Sequence, residues 1–125
     1  MRKLLLLAIA GGVGTVARYW VSGLAQRVGR ETFPLGTLTV NLVGCLLLGF
    51  AMHLVRDRQA LSPETRTVVT VGLLGGFTTF SAFGYETLEL FRGGSTLLAV
   101  VNVAGNVLLG LLAIALGASA GRMLF

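Results

Sequence analysis

The residues of this chain that could do chemistry are few, and as ligands they are weak. The sequence holds no Cys/His set at metal-ligand spacing, no glycine loop running into lysine to cradle a phosphate, and no carboxylate pair placed for acid–base work. That points away from an enzyme. What remains lies inside apolar blocks: Asn41, Thr79, Ser81, and a phenylalanine pair, Phe80 and Phe83. A phenyl ring is negative on its face and positive at its edge, so two ring edges at membrane depth could favour a small anion without holding it fast. Amide and hydroxyl donors would replace part of the ion's water shell, and passage needs this balance of entry and release. In an unbroken helix, two phenylalanines three residues apart would be ordinary packing.

The surrounding stretch makes packing alone an incomplete reading. Gly72-Leu73-Leu74-Gly75-Gly76-Phe77-Thr78-Thr79-Phe80-Ser81-Ala82-Phe83 falls in the middle of an apolar segment. Gly75-Gly76 weakens a helix there, and Thr78 and Thr79 can offer hydroxyls to a freed backbone. Non-helical backbone in hydrocarbon is tolerated only where it is buried in protein or lines a polar cavity. Phe80 and Phe83 then share one face of the resumed helix.

These residues must be held by membrane spans. The chain has 125 residues, 54% hydrophobic and 12% charged, and a soluble domain of this size carries about twice that charge. With roughly 20 residues per span, at most four spans fit, as one small membrane domain over 1–125. The spans read as about 4–25, 34–54, 68–91 and 96–124. The net charge of +5 does not mark a nucleic-acid surface, because the basic residues punctuate the ends of apolar blocks. Eighteen glycines suit close helix–helix contact in lipid; Ala10 with Gly14, and Ala113, Gly117 and Gly121, form small-residue ridges. Cys45 is the only cysteine and reads as packing.

Within the spans, single polar residues stand out. Arg2-Lys3 before Leu4–Ala10 imitates a signal peptide, with Thr15-Val16-Ala17 as a passable cleavage site, but the apolar character continues past Arg18, longer than a signal core. Arg18 is the one basic residue inside a span, poised between a functional charge and a side chain snorkelling beside Tyr19 and Trp20. Taken alone, Asn41 reads as glue between helices, and Asn102 and Asn106 share a face of the fourth span. His53 reads as interfacial, Glu86 could face a vestibule, and Glu89 belongs with the headgroups. Ser62-Pro63-Glu64 resembles a helix start. Four spans put both termini on one side, with Arg2, Lys3, Arg56, Arg58, Arg66 and Arg122 there and Arg27, Arg30 and Arg92 opposite. That bias is weak for a rule that sets orientation, so insertion both ways is compatible with the charges.

Gly11-Gly12-x-Gly14-x-x-x-Arg18, Gly36-Thr37-Leu38-x-Val40-Asn41-x-x-Gly44 and Gly75-Gly76-Phe77-Thr78-Thr79-Phe80-Ser81-Ala82-Phe83 together resemble the Fluc (CrcB) fluoride channels, over nearly the whole chain and in order. The resemblance implies an all-α membrane protein of four helices with the third broken at mid-membrane. It implies an antiparallel, dual-topology homodimer in a prokaryotic cell membrane, with two pores between subunits through which toxic fluoride leaves the cytoplasm. By position, Phe80 and Phe83 match pore-lining rings, Asn41 a pore donor and Ser81 a pore-side hydroxyl. Gly75 and Thr78 match positions whose backbone carbonyls hold a central structural Na⁺, and Arg18 matches a vestibule arginine. The chain departs from the pattern at Ala82, where a threonine is common, and at Gly110 and Ile114, where some relatives carry hydroxyls.

Three rivals are weighed against that reading. A dual-topology exporter of cationic drugs needs a membrane-embedded carboxylate, and the first span offers only Arg18. A non-transporting scaffold leaves the conjunction of break, ring pair and asparagine unexplained. A fluoride–proton exchanger is separable by its response to a pH gradient.

Overall fold

The computed structural model describes residues 1–29, 32–56, 59 and 61–125. The loop charges Arg30, Glu31, Asp57 and Arg58 lie outside the described residues. Among the described residues every regular element is helical, and four helices are long and apolar enough to cross a membrane: Arg2–Gly29, Leu35–Arg56, Pro63–Arg92 and Thr96–Leu124. The first three extend beyond the apolar blocks that announce them. A helix bonds its own amides, so it runs on into the polar residues at its ends, such as Arg27 and Arg56.

The third span begins on a cap legible in the sequence: Ser62 Oγ accepts the Thr65 N–H at 3.1 Å and Pro63 takes the first helical position. Beside it, Arg2 Nη2 meets Glu64 Oε2 at 2.6 Å, joining the starts of the first and third spans. The span then winds through a π-helical stretch, Val68–Leu73, and a short α-turn, Leu74–Phe77. Thr78 (φ −91°, ψ 160°) and Thr79 (φ −150°, ψ 113°) are extended, and the helix resumes as Phe80–Arg92. A turn at Gly93-Gly94, with Gly94 at φ +81°, leads to the fourth span, which is α-helical over Thr96–Ala104, π-helical over Gly105–Leu109 and α-helical again over Gly110–Leu124.

Small residues let the helices touch backbone to backbone. A Cβ on Gly14 would strike the Leu73 carbonyl, seating the first span on the third. One on Gly49 would strike the Ile114 carbonyl and one on Gly117 the Leu46 carbonyl, seating the second span on the fourth. Without a hydrophobic drive between helices in lipid, such van der Waals fit carries much of the association. Gly117→Ala is therefore expected to destabilise the protein by about 1–3 kcal/mol, read as earlier unfolding in a denaturant titration in detergent, since backbone has no rotamer with which to yield. An unchanged midpoint would mean that the second and fourth spans are not seated here.

Large apolar side chains cover the outside, among them Leu4, Ile9 and Val16 on the first span and Leu97, Leu108 and Leu111 on the fourth, as a hydrocarbon solvent favours. The interior is unusual in the opposite sense. Among the described residues Val40 and Asn102 are the largest fully buried side chains, so an asparagine lies wholly inside. His53, near the end of the second span, is 8% exposed, with its ring laid over Gly121 of the fourth span. A glycine one helix away makes room that the spacing along one helix does not show.

Candidate functional site

The interruption at Thr78-Thr79 frees backbone groups, and side chains take them up. Thr79 N–H donates to Asn41 Oδ1 at 2.8 Å, and Asn41 Nδ2 donates to Thr79 C=O at 3.1 Å. The carboxamide of the second span thus pairs with both backbone groups of one residue of the third, as a neighbouring strand would. Thr79 Oγ1 accepts the Ala82 N–H at 3.2 Å and caps the resumed helix, while Thr78 Oγ1 donates to the Leu74 carbonyl at 3.1 Å. Gly44 admits the Thr78 methyl group, which a Cβ there would overlap.

This pairing has a consequence for two carbonyls. In a continuous helix Gly75 C=O would accept from Thr79 N–H and Thr78 C=O from Ala82 N–H. Those amides are instead committed to Asn41 Oδ1 and Thr79 Oγ1. Gly75 and Thr78 therefore carry oxygen acceptors released from helical duty, and Gly75 is exposed.

Beside the interruption lies a cleft of about 280 Å³, lined by Asn41, Gly75, Thr78, Phe80, Phe83 and Asn106 among others. Phe80 is 81% exposed at its mouth and Phe83 is 7% exposed at its wall. Their ring centroids are 5.3 Å apart with planes at 65°, an edge-on arrangement. Ser81 is exposed, its hydroxyl 3.4 Å from Thr79 Oγ1.

Other residues singled out in the sequence stand elsewhere. Glu86 lines a second cleft with Gln26, Phe33, Tyr85 and Glu89, and its Oε1 accepts from Thr37 Oγ1 at 2.7 Å. Gln26 closes the connection between the first two spans, donating to Phe33 C=O at 2.9 Å and accepting Gly36 N–H at 3.0 Å. Arg18 is half-buried on the first span and lines neither cleft; Glu89 is exposed and meets Arg92 at 3.5 Å. Asn41 is less available as an ion donor than its type suggests, because its second N–H donates to Asn106 Oδ1 at 2.9 Å. Asn106 and Asn102 thus belong to the site, although the sequence marks them only as a shared face. Their signal was two asparagines one turn apart inside an apolar helix, a costly placement unless paired.

Among the described residues, no three His, Cys, Asp or Glu side chains gather as a metal site would require.

Fold and site define a small multi-pass membrane protein with a polar interruption in one span opening onto an aromatic cleft. The family described as CrcB-like protein, Camphor Resistance (CrcB), matches residues 5–118. A relative from Nitratidesulfovibrio vulgaris, named fluoride-specific ion channel FluC, is 43% identical over 98% of this chain and 99% of its own length. Relatives of the same name from Maridesulfovibrio salexigens and Dehalococcoides mccartyi are 38% and 42% identical over 99% of this chain, covering 98% and 95% of their own lengths. The chain belongs to the CrcB family, whose relatives are named as channels and not as enzymes.

Proposed function

We propose that this protein is a passive, fluoride-selective channel that lets toxic fluoride leave a prokaryotic cell across its inner membrane. The observation that carries the reading is the exposed Phe80 ring beside Phe83 at an interruption whose backbone is held by Asn41. Ring edges offer diffuse positive potential to a small anion, and Ser81, next in the chain to Phe80 and exposed, carries a hydroxyl donor 3.4 Å from Thr79 Oγ1. Both N–H groups of Asn41 are committed, to Thr79 C=O and Asn106 Oδ1, so it donates to an ion by sharing or exchanging one of those bonds.

The cleft is open on the face of one protomer, and a second copy closes it into a conduit. Two copies inserted in opposite senses pair the same face with itself, and the weak charge asymmetry between loops permits both insertions. Two such conduits, each lined by Phe80 and Phe83, flank the contact, with the interruption at mid-bilayer. On the pair axis the released carbonyls of Gly75 and Thr78 from both copies would hold a structural Na⁺, a hard ion that oxygen dipoles suit. Exchanging Na⁺ for N-methylglucamine on both sides over hours is then expected to slow fluoride efflux by about tenfold or more, with recovery on return of Na⁺. Efflux indifferent to the exchange would remove the cation from the account.

A voltage clamp set by potassium and valinomycin tests passivity. In liposomes holding fluoride at equal concentration on both sides, a channel moves the ion with the imposed voltage and ignores a pH gradient. Fluoride accumulation driven by a pH gradient at zero voltage would make the protein an exchanger instead.

A further inference from the structure

The hydrogen bonds at the interruption do not stop at Asn41. We infer that Asn106, Asn102 and Thr87 complete a one-way hydrogen-bond chain that fixes the orientation of the Asn41 carboxamide, making them positioning residues for ion passage; the part concerning passage rests on the channel reading above.

Thr79 N–H donates to Asn41 Oδ1, Asn41 Nδ2 to Asn106 Oδ1, Asn106 Nδ2 to Asn102 Oδ1, Asn102 Nδ2 to Thr87 Oγ1, and Thr87 Oγ1 to the Phe83 carbonyl, at 2.8, 2.9, 3.1, 2.9 and 2.7 Å. Both ends of this chain have a polarity that cannot change. A backbone N–H only donates, and a backbone carbonyl only accepts. Each member between them is ambivalent: a carboxamide can be turned end for end, and a hydroxyl can give or take. With the ends fixed, the sense of every link is fixed too. Turning any one amide would set carbonyl against carbonyl, or leave N–H groups facing each other.

The chain crosses three spans and returns to the one it left. It starts at Thr79 and ends at Phe83, so the first turn of the resumed helix, which carries Phe80, lies between its anchors. Asn102, at its middle, is 0% exposed, which denies water the chance to substitute for a missing partner. The Asn102 carbonyl also accepts from Asn106 Nδ2, at 3.0 Å, where the fourth span passes into its π-turn. Bonds in line polarise one another, so a change at Thr87 is felt at Asn41 although the two do not touch.

Thr87→Val removes the hydroxyl at nearly constant volume, and Thr87→Ser restores it. The test follows the side-chain amide resonances of Asn41 and Asn106 in asparagine-¹⁵N protein, assigned by single substitution, together with fluoride efflux from liposomes. The expected result is that Thr87→Val moves both resonances and slows efflux by about threefold to tenfold, while Thr87→Ser leaves both at the wild-type values. Resonances of Asn41 unmoved in Thr87→Val would overturn the chain. Resonances that move while efflux stays within about twofold, less than one net hydrogen bond, would overturn its role in passage. Should the unaltered protein carry no fluoride, the channel reading fails by itself, and the resonances still decide the chain.

Discussion

Fluoride efflux through the Phe80→Ile, Phe83→Ile double variant is expected to fall about a hundredfold, with the protein still folded. Isoleucine keeps the bulk and apolarity of the site but has no ring edge. If each edge lowers the passage barrier by about 1.4 kcal/mol, near the top of what aromatic pair geometry contributes, the two together give that factor. The rings are not equivalent in position. Phe83 is enclosed and its loss also disturbs packing, whereas Phe80 stands exposed at the mouth of the cleft. Phe80→Ile alone is therefore the cleaner probe, with about a tenfold loss expected on the same footing. An electrode trace of fluoride release from liposomes separates the cases. Wild-type rates in the double variant would mean that the rings are packing and that the ion travels elsewhere.

Asn41→Leu is expected to cost more in stability than any other single change at the site. It leaves the Thr79 N–H and C=O without the carboxamide that pairs with both. The Thr79 N–H is orphaned at a cost of about 1–3 kcal/mol, against a marginal total stability, while the Thr79 C=O, as the N-cap carbonyl, keeps the first bond of the resumed helix. Asn41→Asp does not rescue it: a carboxylate still accepts from Thr79 N–H but faces the Thr79 carbonyl and Asn106 Oδ1 as a third acceptor. Denaturant titration of the purified protein reads the effect. A midpoint for Asn41→Leu equal to wild type would show that the interruption holds itself without the second span.

Much of this architecture could be read from the chain, and the exceptions share a cause. Apolar blocks fix the four long helices because backbone polar groups in lipid must be satisfied locally, and Ser62-Pro63 marks a start because its chemistry is local as well. The glycine pair misdirects slightly. Gly75 and Gly76 remain within the helical turn Leu74–Phe77, and the chain leaves the helix only at Thr78 and Thr79. Helix propensity alone puts the weak point at the glycines. The backbone parts where side chains can replace the lost bonds, and those side chains are the threonines and an asparagine from another span. Gly76 instead faces the Gly11 carbonyl and serves approach to the first span.

Residues whose partners lie on other helices stay illegible for that reason. The burial of His53 is not visible along its own helix, because the glycine beneath it is Gly121 of the fourth span. Thr37 carries no signal until Glu86 is found 2.7 Å away, and Thr87 none until Asn102 points at it. The asparagines of the fourth span show in the sequence as costly polar residues, but the sense of their bonding is set by Thr79 and Phe83 at the chain's two ends.

The most direct test of the channel reading compares two anions in one preparation. Purified protein in liposomes loaded with potassium fluoride, or with potassium chloride, is given valinomycin, and release is followed with the matching electrode. Fast release of fluoride with negligible release of chloride is the predicted result. Release of neither ion from protein that is folded and assembled would contradict it, and would return the interruption, the ring pair and the asparagine to the service of assembly alone.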